Sequence, residues 1–69
     1  MRDPKRIRPL CERLTAAWST IPDLRLGQLI VNAVYTADSN LDPFYIEDER
    51  LIREIESFVY RATSGGADR

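Results

Sequence analysis

Histidine is missing from this chain of 69 residues, and cysteine occurs once, at Cys11. The first absence removes the commonest general base and metal ligand. The second excludes an intramolecular disulfide framework, so the core has to hold without a covalent staple and a reducing cytoplasm is the expected location. Glycine is scarce as well: Gly27 stands alone, and Gly65 and Gly66 fall in a polar end segment, so no phosphate-cradling loop is present. No apolar run approaches the roughly 20 residues a membrane-spanning helix needs. The basic N-terminus lacks the apolar stretch of a secretory signal, and none is expected. Cys11 falls on an apolar stripe, where a free thiol acts as a small hydrophobe rather than a nucleophile. An enzyme is therefore not expected, nor a cofactor or a metal.

What is present describes an ordinary soluble domain: 43% hydrophobic and 30% charged residues, with a net charge of −1. At this length only about 60% of the unfolded chain's surface can be buried, so the domain is marginal in stability. The small net charge conceals a polarity. Residues 1–36 hold six basic and three acidic side chains, and residues 37–69 hold four basic and eight acidic ones. Such a division can orient a partner or draw two copies together head to tail, but a solvated surface of unevenly distributed sign is the favoured reading.

Apolar periodicity predicts an all-α, three-helix domain over residues 1–62, with 63–69 as a disordered tail. Asp3 and Pro4 supply a cap and a first-turn proline. Ile7, Leu10, Cys11, Leu14, Trp18 and Ile21 then recur at helical spacing, with a bend or a late regular start expected at Pro9 and a stop before Pro22. Asp23 is the expected cap of a second helix over roughly 24–36. Its apolar residues cover most of its circumference, leaving only Arg25, Gln28 and Asn32 as a polar stripe. That breadth predicts a central helix wrapped on nearly all sides, or one that also covers a second subunit, with Gly27 admitting another backbone. The third helix is expected from Asp48, with Leu51, Ile52, Ile55, Phe58, Val59 and Ala62 inward.

The segment DSNLDPFYIEDE, residues 38–49, carries Asp38, Asn40, Asp42 and Glu49 at positions one, three, five and twelve of a calcium-loop spacing. Position six of such a loop needs glycine for a sharp turn, and Pro43 stands there. Calcium binding is thus a remote alternative to an extended segment over about 42–47 that ends in a helix cap. Within it, two of Phe44, Tyr45 and Ile46 are expected to plug the core, with Tyr45 as the surface aromatic.

Two surfaces remain as candidates. The first joins Arg25, Gln28 and Asn32 with Tyr45 and Tyr60 as a protein-binding face. The second is a basic edge of Arg2, Lys5, Arg6 and Arg13 that could contact nucleic-acid phosphates. Glu12 interrupts that edge and the overall pI is about 5.3, so nucleic acid ranks behind protein. The expected partner is an unidentified protein, with a homodimer also open, and no membrane is implied.

The blocks RDPKRI, PDLRLGQLIVNA and DPFYIEDERL, together with Trp18, resemble a family of short helical proteins of unknown function found in bacterial and phage genomes. The resemblance covers about residues 2–52. It implies a small cytosolic protein carried by phage or mobile elements, without implying any catalytic residue. It also implies that Trp18, Asp23, Arg25, Gly27, Gln28, Asn32, Phe44, Tyr45 and Asp48 belong to the family's motif blocks.

Overall fold

The computed structural model describes residues 2–64, which form three α-helices: α1, Ile7–Ser19; α2, Leu26–Ala37; and α3, Asp48–Ser64. A 3-10 turn, Pro4–Arg6, leads into α1, and another, Pro43–Tyr45, stands between α2 and α3. Both turns start with the same device. Asp3 accepts from the Lys5 amide at 2.9 Å, and Asp42 accepts from the Phe44 amide at 3.0 Å. In each case proline follows the aspartate, fixing φ where the turn needs it and removing an amide that would have no partner. The expected extended segment is thus interrupted by a turn, although Asp42 and Ile46 at its ends are extended.

Of the two expectations for Pro9, the late regular start holds, since α1 becomes regular at Ile7 after a 3-10 turn. Pro9 stands in the helix's first turn, where no amide needs an intrahelical acceptor, and the change from 3-10 to α geometry falls just before it. At the other end, the Leu24 amide bonds Ile21 across the Pro22 turn, and the Trp18 indole N–H donates to the Leu24 carbonyl at 2.8 Å. The indole therefore fastens the α1–α2 connection while its ring packs against the core. Replacing Trp18 by phenylalanine keeps most of the apolar contact and orphans that carbonyl. A loss of about 0.5–1.5 kcal/mol is expected in urea unfolding followed by circular dichroism.

The second helix starts later than Asp23 predicts. Asp23 lies in the turn, and Arg25 is the residue with extended φ/ψ before the helix. The Gln28 side chain accepts from the Arg25 amide at 2.9 Å, so the start is fixed from inside the helix. The third helix begins as expected at Asp48 and runs further than expected. Thr63 and Ser64, assigned from sequence to the tail, are helical, and the remainder of that tail, 65–69, lies outside the described residues.

The core consists of Ala17 from α1, Leu29 and Ala33 from α2, and Ile52, Ile55 and Val59 from α3. α1 and α2 both pack on α3 and barely meet each other. The central helix is therefore α3, which corrects the sequence reading of α2. α2 buries Leu29, Ala33 and Val34 and turns Val31 and Tyr35 to solvent, 51% and 64% exposed. Small residues explain the approach: Ala17 and Ala33 keep their helices' surfaces low where they meet α3. Cys11, expected on the inner stripe, is exposed, as is Ala62.

Candidate functional site

The basic edge of α1 faces the acidic start of α3. Arg2 pairs with Glu47 at 2.9 Å, Arg6 with Asp48 at 2.6 Å, and Arg13 with Glu49 at 2.9 Å and Glu56 at 2.8 Å. Arg2 and Arg6 lie just before α1 and Arg13 on it, and their partners advance in the same chain direction from Glu47 to Glu56, so α1 runs parallel to α3. All of these paired residues except Glu56 line an open groove of about 440 Å³ together with Asp3, Pro9 and Leu10. Arg13 ties the set together, its guanidinium donating to two carboxylates about two turns apart on one face of α3. Three of the four arginine and lysine side chains of the nucleic-acid alternative are thereby engaged within the chain. Lys5 is exposed beside the edge. An arginine already neutralised by a carboxylate releases fewer phosphate counterions on binding, so the arrangement disfavours that alternative.

The pairing shifts the carboxylates. The Arg6 hydrogen bond holds Asp48 below the ordinary range, and the Arg13 hydrogen bond does the same for Glu56. Both groups are depressed in the folded chain, so the unfolded chain binds their protons first. Their contribution to stability is present above the ordinary carboxylate range, near pH 4, and is lost as pH falls through the folded values. The urea midpoint is expected to drop between about pH 6 and pH 3, and to drop less in Arg6→Gln and Arg13→Gln. A midpoint that is flat or rises toward acid would contradict the pairing.

The calcium-loop oxygens do not converge. Asp38 accepts from the Asn40 amide at 2.9 Å, Asp42 caps its own turn, and Glu49 is held by Arg13. Among the described residues no group of three or more acidic, cysteine or histidine side chains is placed to hold a metal ion.

The connecting turn carries a different signal. Phe44 and Tyr45 are 83% and 79% exposed, with ring centroids 4.9 Å apart in an edge-to-face arrangement. Only Ile46 turns inward, to a half-buried position, so the expected two-residue plug is a single residue. The 3-10 turn is the cause: its period of three breaks the alternation that an extended strand would impose. Tyr45 is the surface aromatic that was expected, and Phe44 is the surface aromatic that was missed. The Asp42-Pro43 pair was the available signal, since the same dipeptide at Asp3-Pro4 makes the same turn.

The remaining candidates fall in separate places. Arg25 and Gln28 are joined by the hydrogen bond that the Arg25 backbone amide donates to the Gln28 Oε1 at the start of α2, and Asn32 is exposed one turn further on. Gln28 is thus spent on the helix start. Tyr60 is 70% exposed on α3, in an open depression lined also by Arg53, Glu56, Ser57 and Arg61. No residue of α2 lines that depression. An apolar crevice of about 190 Å³ opens between α1 and α3, where Ile7, Leu10, Cys11 and Leu14 meet Leu51 and Ile52.

Among the described residues no helix is long and apolar enough to cross a membrane. No family model, no curated protein and no solved structure matches this chain.

Proposed function

We propose that this chain is a non-catalytic protein-interaction module of the cytoplasm, docking a partner protein through the Phe44–Tyr45 ring pair. The observation that supports it is the exposure of two adjacent large aromatics, 83% and 79%, on a turn whose ends are fixed by hydrogen bonds. An aromatic held in place loses little conformational freedom on binding, and rings that fill a partner's pocket supply much of an interface's affinity. Arg25 and Asn32 on α2 and Tyr60 on α3 are further candidate contacts. A phage or mobile-element setting belongs to the same proposal and rests on the sequence blocks alone.

The test compares the full chain with a Phe44→Ser/Tyr45→Ser double variant, each tagged and used to capture proteins from a host lysate. Circular dichroism first establishes that the variant keeps its helices, as two exposed rings permit. The proposal expects a protein captured by the unaltered chain and lost by the variant. Equal capture by both would reject it.

A further inference from the structure

Among the described residues the outer face of α2 has no partner, and one residue on it, Gly27, has no packing role there. Gly27, Val31 and Tyr35 are spaced four residues apart and form one exposed line along the helix, away from Leu29 and Ala33 and bordering the buried Val34. A Cβ added at Gly27 would meet nothing within 4 Å. The chain's own packing therefore does not require glycine, although alanine forms helix better. This corrects the expectation that a neighbouring backbone of the same chain comes close. The line runs from small to medium to large. Arg25 precedes it and Asp38 follows it, both exposed and neither ion-paired among the described residues.

A helix face with those two gradients, one of size and one of charge, is complementary to its own reverse. We infer that α2 pairs with α2 of a second copy of this chain, antiparallel about a twofold axis at Val31. In that register Tyr35 of one copy lies over Gly27 of the other, Val31 meets Val31, and Arg25 reaches Asp38 at both ends. The absent side chain at Gly27 supplies the space that the tyrosine ring fills. Arg25 and Asp38 are separated by thirteen positions, or about 20 Å of helix, so both charge pairs fall at the rim of one footprint. A parallel pairing would set arginine against arginine and ring against ring. The face is one helix wide, which puts the interface at the small end of specific contacts and makes the dimer weak and reversible. The inference goes beyond the ring pair at Phe44 and Tyr45 and does not depend on it.

Sedimentation velocity of the full chain from about 10 µM to about 1 mM reads the pairing at the concentrations a small interface requires. The sedimentation coefficient is expected to rise with concentration. Tyr35→Ala and Gly27→Leu, both at exposed positions, are expected to abolish the rise while leaving the helical spectrum intact. Arg25→Glu and Asp38→Lys should each raise the dissociation constant about fivefold or more, and the two together should restore it to within about twofold. A monomer throughout the range overturns the inference, as does association that Tyr35→Ala leaves unchanged. Failure of the double charge reversal to restore association overturns it too, because the antiparallel register predicts the rescue. The Phe44→Ser/Tyr45→Ser variant is expected to self-associate like the unaltered chain, so loss of the lysate partner and loss of the dimer are separable results.

Discussion

Ile55→Ala is expected to remove a large part of the chain's stability, about 2–5 kcal/mol. Ile55 is 1% exposed at the middle of α3, where the faces of α1 and α2 converge. Truncating a buried isoleucine to alanine removes the transfer free energy of its carbons and leaves a cavity, at a typical cost of about 2–5 kcal/mol. A chain of 69 residues has roughly 3–10 kcal/mol of stability in all, so the loss takes about half of it. Val31→Ala is the matching control. Val31 is 51% exposed, and its truncation should move the urea midpoint of the monomer little. If the two variants unfold at similar urea concentrations, the assignment of inner and outer faces is wrong.

Ala33→Leu is expected to destabilise by about 1–3 kcal/mol, although leucine and alanine are both strong helix formers. The reason is space. Ala33 is fully buried in the core cluster with Leu29, Ile52 and Ile55. Three extra carbons there must push α2 away from α3 or force neighbouring side chains off their rotamers. Ala37→Leu, an exposed change near the end of the same helix, should be close to neutral and separates packing from propensity. Chemical denaturation of both variants, monitored by far-ultraviolet circular dichroism, reads the difference. An Ala33→Leu protein as stable as the unaltered chain would mean that α2 sits further from α3 than described.

The sequence was most readable where one element announces its own burial. In α3, Ile52, Ile55 and Val59 recur at helical spacing against a strongly polar background, and these three are the ones buried. Asp48 marked the start of α3 for the right reason, negative charge at a helix N-terminus, and does a second job by holding Arg6. In α2 the same method could not choose a face. A helix apolar around most of its circumference is compatible with several orientations, and periodicity alone does not distinguish Leu29 and Ala33 from Val31 and Tyr35. The orientation is decided by α3, whose position no local pattern in α2 encodes.

The charge polarity between the two halves was visible, and its use was not. It reads as a solvated surface of uneven sign, or as attraction between molecules, whereas Arg2, Arg6 and Arg13 spend it inside one chain on Glu47, Asp48, Glu49 and Glu56. Partners separated by 36 to 45 positions leave no short-range signature. The ring pair shows a third kind of limit. Counting Phe44 as apolar predicts burial, and only the geometry of the turn that Asp42 and Pro43 create puts it in water.

Native-state hydrogen exchange tests the packing order on which these surfaces depend. With α3 as the element flanked on two sides, the amides of Ile55 and Val59 are expected to exchange most slowly, at the rate of global unfolding, and those of Val31 and Tyr35 faster. Slowest exchange across residues 26–37 instead, with α3 opening first, would make α2 the enclosed helix and would remove both the exposed α2 face and the dimer built on it.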